Sequence, residues 1–165
     1  MRYRRFWVPG GTYFFTVNLA DRSQTLLVDR IDILRAAFRT VKSKHPFHVD
    51  ALVVLPDHLH AIWTLPENDH DFAVRWALIK SHFSRQLPKI EYCRDSRIKK
   101  RERGIWQRRY WEHLIRNNND FQRHIDYIHF NPVKHGLVKT AIEWPYSSFH
   151  QYVNDGIYPQ NWSLR

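Results

Sequence analysis

Cysteine is nearly missing from this chain. Cys93 is the only one in 165 residues, which excludes an internal disulfide framework and a cysteine-built zinc cage. Glycine is scarce as well. The five present, Gly10, Gly11, Gly104, Gly136 and Gly156, cannot build a phosphate-cradling loop or a dinucleotide fingerprint, so chemistry on bound ATP or NAD is not expected. No apolar run approaches the roughly 18 residues of a membrane span. None follows the basic start Met1-Arg2-Tyr3-Arg4-Arg5 either, so no signal peptide is expected. Acidic residues are outnumbered: 16 Asp+Glu face 26 Lys+Arg, a formal net charge of +10. Such a field favours a polyanion or an anionic membrane surface. What remains is an ordinary globular composition, 43% hydrophobic and 25% charged, in one domain spanning 1–165.

Periodicity organises that domain. Thr12 to Leu19, after the Gly10-Gly11 turn, is rich in aromatic and β-branched residues and reads as a strand. Ile31, Leu34, Phe38 and Val41 recur at helical spacing over 30–45. Val49–Leu55 and His58–Leu65 flank Pro56-Asp57 and predict an antiparallel hairpin. Phe72, Trp76, Ile79 and Phe83 predict a second helix over 71–87. Segment 88–103 holds seven Lys/Arg against three acids without periodicity, and reads as a basic surface loop that either meets nucleic acid or is simply solvated. Ile105–Ile115 is strand-like towards its end. Asn117-Asn118-Asn119-Asp120 is a capping cluster, with Gln122 three residues past Asn119 as a capping box. A helix over about 120–130 ends near Pro132, and another short helix lies within 145–154. The order β-α-β-β-α-β-α suits an α+β, ferredoxin-like (split βαβ) antiparallel sheet with helices packed on one face.

Two places can carry chemistry. In Pro56-Asp57-His58-Leu59-His60 the histidines are two apart on a strand, so both project from one face. Side by side they can chelate a divalent ion; the alternative is two polar residues on a solvated sheet face. Leu59, Ala61, Trp63 and Leu65 fill the other face and should meet the helices. On the 120–130 helix, Asp120, His124, Tyr127 and Asn131 form a polar stripe beside apolar Phe121, Ile125 and Ile128. Tyr127 is either a nucleophile beside a metal or a core-bordering phenol. Residues before proline avoid helical backbone, which places Asn131 just past the helix end.

Taken together these segments carry a resemblance. His58-Leu59-His60 matches the His-hydrophobic-His motif of HUH single-strand endonucleases. Asp126-Tyr127-Ile128-His129-Phe130-Asn131-Pro132-Val133-Lys134-His135-Gly136 resembles the tyrosine motif of the REP-associated tyrosine transposases. Tyr3-Arg4-Arg5 through Gly10-Gly11-Thr12, and Trp106-Gln107-Arg108 through Trp111-Glu112-His113, fit the same group, and the likeness runs from about residue 3 to 162. The resemblance implies the ferredoxin-like fold with an additional tyrosine-bearing helix. It implies Tyr127 as nucleophile, His58, His60 and Asn131 as ligands of Mg²⁺ or Mn²⁺, and a 5′-phosphotyrosine intermediate. The implied substrate is the single-stranded DNA hairpin of a repetitive extragenic palindrome. The implied setting is a bacterial cytoplasmic, nucleoid-associated monomer with no membrane partner.

The chemistry is coherent. A divalent ion neutralises phosphodiester charge; a phenol, ordinarily deprotonated only near pH ~10, is activated by surrounding cations. Basic grooves with aromatic platforms hold single strands, which makes Tyr3, Arg4, Arg5, Arg108 and Arg109 candidate DNA contacts. Lys134 and His135, just after the tyrosine, are placed to meet phosphates. Two other classes compete: a non-catalytic binder of single-stranded DNA or RNA hairpins, and a metal-dependent hydrolase that uses water.

Overall fold

The computed structural model describes residues 6–88 and 104–164. The 88–103 loop reading, from residue 89 on, and the candidate contacts Tyr3, Arg4 and Arg5 lie outside the described residues.

Four strands form one sheet: β1 Thr12–Asn18, β2 His48–Val54, β3 His58–Thr64 and β4 Trp111–Leu114. Their order is β2-β3-β1-β4, and every neighbouring pair is antiparallel. The helices are α1 Leu26–Asp29, α2 Ile31–Lys44, α3 Phe72–Arg85, α4 Asn118–Lys134 and α5 Phe149–Asn154, with a 3₁₀ turn at Ala141–Glu143. This is the α+β arrangement that the alternation of periods predicts.

Period-two alternation divides the core between the two sheet faces. Tyr13, Phe15 and Val17 of β1, with Leu59, Ala61 and Trp63 of β3, pack against α2 and α3. Leu34, Ala37, Phe38 and Val41 line the buried side of α2; Phe72, Trp76, Ile79 and Phe83 line that of α3. Trp63 stacks on Trp76 with ring centroids 4.1 Å apart. The other face carries Phe14, Ala51, Val53 and Ile62, and it is covered by Ile125 and Ile128 of α4 and by Phe149. The tyrosine-bearing helix therefore lies on the second face, and β3 is buried on both sides except at Thr64.

The capping cluster acts through Asn117, whose side chain accepts from the Asp120 N–H at 2.8 Å. Two local expectations are corrected. Gln122 does not close a box with Asn119; it donates to Asp126 and Tyr158. The helix also does not stop near Pro132. It runs through that residue to Lys134, so Asn131 is helical. Pro132 forgoes only one intrahelical bond, and the end is closed afterwards by His135 N–H to Asn131 O at 3.0 Å and Leu137 N–H to Pro132 O at 3.0 Å. Gly136, at φ +70°, supplies the left-handed residue that such a C-terminus uses.

Candidate active site

The site is built where α4 crosses β3 and β1. Register places Thr16 opposite His60, Asn18 opposite His58 and Phe14 opposite Ile62, so these side chains share the face that α4 covers. His58 and His60 are 5% and 3% exposed, which overturns the alternative of a solvated sheet face. Their rings stand 5.0 Å apart and nearly perpendicular. Tyr127, half-buried, has its ring 5.2 Å from His60. Phe14 braces this group: its ring is 5.6 Å from His60 and 6.0 Å from Tyr127. His135 stands 5.2 Å from His58, and Lys134 Nζ lies 4.8 Å from the Tyr127 ring centroid.

The electrostatics keep both imidazoles neutral. Burial drives His60 down to about 3, helped by the neighbouring charges of His58, His135, Lys134 and Arg22. Burial also lowers His58, against the opposing pull of Asp57. Both rings are therefore neutral at neutral pH. Each uses Nδ1 for a neighbour. His60 Nδ1 is 2.7 Å from the Thr16 hydroxyl, and His58 Nδ1–H donates to the Asp57 carboxylate at 2.8 Å. His60 Nε2 is buried with no hydrogen-bond partner, and so are both side-chain atoms of the fully buried Asn131. A buried polar group without a partner costs about 1–3 kcal/mol. Two neutral imidazoles side by side, with unpartnered polar atoms on His60 and Asn131, fit a divalent cation.

A second group has comparable composition. The ligand atoms of His113, Asp120 and His124 lie within 4.8 Å of one another. The two rings, however, are stacked 4.7 Å apart at only 19°, and in-plane lone pairs of nearly parallel rings do not converge on one ion. The group instead works as a hydrogen-bonded clamp. Asp120 accepts from His113 Nε2 at 2.8 Å and from the Arg116 N–H at 2.9 Å, tying β4 to the start of α4. Burial raises the Asp120 carboxyl, but those donors outweigh it and hold it below the ordinary value.

Not every candidate residue gathers here. Tyr127, His58, His60, Lys134 and His135 come together, with Asn131 on the same helix one turn beyond the tyrosine. Arg108 and Arg109 are exposed on the segment entering β4, an edge strand separated from β3 by β1. Thr16, Arg22, Asp57 and Phe14 belong to the site and were not singled out from sequence. Thr16 and Phe14 were legible only through the β1–β3 register; Asp57, adjacent to His58 in the motif, was the nearest available signal.

Comparison with known proteins bears directly on this geometry. No family model matches the chain. A Haemophilus influenzae protein, provisionally named a REP-associated tyrosine transposase, is 50% identical over 163 residues, covering 97% of this chain and 92% of that protein. The REP-associated tyrosine transposase of Escherichia coli K12 is 47% identical over 161 residues, covering 98% and 90%. The chain belongs to the REP-associated tyrosine transposases. A solved structure of such a transposase bound to a REP hairpin matches with a TM-score of 0.86 at 46% identity, over 100% of this chain and 92% of that one. Members of this family are enzymes that act by tyrosine transesterification, and membership implies a divalent metal. Among the described residues, no helix is long and apolar enough to cross a membrane.

Proposed function

We propose that this transposase cuts and rejoins single-stranded DNA at REP-type hairpins, with Tyr127 as nucleophile and His58, His60 and Asn131 holding Mg²⁺ or Mn²⁺. One observation carries the assignment: Tyr127 stands 5.2 Å from a buried, neutral imidazole whose distal nitrogen has no partner. The bound ion supplies charge neutralisation at the scissile phosphate. The tyrosine oxygen attacks phosphorus, one P–O bond forms and the bond to the 3′ oxygen breaks. The phenolic proton departs and the leaving oxygen gains one, giving a 5′-phosphotyrosine and a free 3′-OH. Bond energy is conserved, so the step reverses without ATP. Lys134, over the tyrosine ring, and His135, beside His58, are placed to meet the phosphates; Arg108 and Arg109 would meet DNA further off, along the β4 edge. Imidazole ligation suits Mn²⁺ better than Mg²⁺, which prefers oxygen.

Tyr127 meets the histidines of its own chain, which supports a monomer acting in cis, with 1–165 serving as one cytoplasmic, nucleoid-associated domain. The test is incubation with labelled hairpins from beside the gene, in Mg²⁺ or Mn²⁺, run on a denaturing gel. A band shift that survives denaturation and vanishes in Tyr127→Phe is expected, with cleavage in Mn²⁺ at least equal to that in Mg²⁺. Cleavage without an adduct in both proteins would make water the nucleophile; binding with neither would leave a hairpin-binding protein.

A further inference from the structure

We propose that Asp57 is a positioning residue that aims His58 at the metal, and that Arg22, which Asp57 holds, is a phosphate ligand of the same site. The inference rests on the histidine pair being the metal site. Asp57 occupies the turn between β2 and β3, and its side chain is 18% exposed. Its two oxygens do different things. Oδ1 accepts from His58 Nδ1–H at 2.8 Å, and Oδ2 accepts from Arg22 Nε. The backbone fixes this turn to the end of β1, where the Leu19 N–H reaches Asp57 O at 2.8 Å. Arg22 follows three residues later.

A carboxylate can only accept, so the Asp57 bond dictates the His58 tautomer. With the proton held at Nδ1, the lone pair stands at Nε2 and lies in a ring plane that the same bond fixes. Partners of this kind orient metal-ligating histidines, and their loss typically lowers metal affinity about 10–100-fold. His60 has a weaker counterpart in the neutral Thr16 hydroxyl. Arg22 is engaged by Asp57 through Nε, and its NH2 lies 3.4 Å from His58 Nδ1. Half of its side chain is exposed. Its terminal nitrogens therefore reach the Nδ1 edge of the imidazole with donors to spare, in the planar fork that pairs with phosphate. One carboxylate thus holds a metal-binding imidazole and an anion-binding guanidinium side by side.

The competing role for this ion pair is a staple that holds the turn. Mn²⁺ titration followed by electron paramagnetic resonance, with thermal midpoints measured in parallel, separates the two. Asp57→Asn is expected to weaken Mn²⁺ binding about 10–100-fold with little change in midpoint. Asp57→Glu is expected to recover part of that affinity. Arg22→Gln is expected to keep Mn²⁺ affinity and lose hairpin affinity, lowering the slope of log K against log salt by about 0.7. Wild-type Mn²⁺ affinity in Asp57→Asn, or an unchanged salt slope in Arg22→Gln, would overturn the corresponding half. Equal Mn²⁺ losses in both variants, tracking lowered midpoints, would establish the staple instead. A His58→Ala/His60→Ala protein serves as reference: undiminished Mn²⁺ binding there would refute the metal reading itself, independently of Asp57.

Discussion

Acid should unfold this protein through its buried histidines, and His129 offers the cleanest demonstration. Its ring is fully buried, 4.7 Å from Tyr152 and 5.6 Å from Phe149. Nε2 is 2.8 Å from the Ser148 hydroxyl, and burial alone pushes the ring down to about 3. In the unfolded chain an imidazole takes its proton near pH ~6.5. The folded value is thus depressed. The stabilisation is complete above about pH 6.5 and is lost as the pH falls towards 3, because only the unfolded state then binds the proton. The slope for one such group is about 1.4 kcal/mol per pH unit. Between pH 7.5 and 5.0 His129 alone should remove about 2 kcal/mol, from a total stability of order 5–15 kcal/mol. His60, held at about 3 for the same first reason, adds a similar loss, and His58 acts in the same direction. The assay is urea denaturation of wild type and His129→Gln at both pH values. Glutamine does not titrate, so its stability difference between the two pH values should be smaller by about 2 kcal/mol, whatever its absolute stability. Equal differences in the two proteins, at equal m-values, would refute the argument.

Further outcomes follow from packing and charge. Phe14→Leu keeps an apolar group under Tyr127 but removes the ring that touches His60, His124 and Tyr127. Stability should fall by about 1–2 kcal/mol, while adduct formation slows about 10–100-fold because small misplacements of reacting groups are costly; an unchanged single-turnover rate would dismiss Phe14 as a brace. Arg75, 2% exposed, donates to the carbonyls of His45, Pro46 and Asp71 and to Asp69. Arg75→Met leaves three carbonyls without that donor and should cost about 3–5 kcal/mol in urea denaturation; a loss below about 1 kcal/mol would mean water replaces the guanidinium. Lys134→Gln should weaken hairpin binding and reduce the salt slope by about 0.7, measured by fluorescence anisotropy; an unchanged slope would show that Lys134 meets the tyrosine ring but no phosphate.

Much of this fold is legible from period alone. α2 and α3 carry apolar residues at helical spacing, and Leu59, Ala61 and Trp63 recur two apart on β3, so all face α2 and α3. The elements that escape are those for which period is silent. α1 and the 3₁₀ turn are four and three residues long, less than the stretch needed to show a stripe. The end of α4 escapes for a different reason. The rule that proline halts a helix rests on a lost bond and a local clash, and here tertiary contact outweighs both: Asn131 and Pro132 are buried, so stopping the helix at residue 130 would strip this contact from the core.

The proposed catalytic group divides along the same line. Tyr127 and Asn131 are four apart on a helix and His58 and His60 two apart on a strand, so each pair is fixed by local geometry and visible in a short string of residues. What brings the pairs together is the crossing of α4 over the sheet, and what completes them is strand register. Thr16 is 44 positions from His60 and Arg22 is 35 from Asp57; no local pattern links them. Register is also what the site cannot tolerate losing. A slip of one residue between β1 and β3 would turn Thr16 and Phe14 away from His60 and place Val17 or Phe15 beside it. The aromatic core on the opposite face forbids that slip, because Phe15 and Val17 pack there with Trp63 and Leu59. The hydrophobic face that holds the fold together therefore sets the alignment of the face that carries His58 and His60.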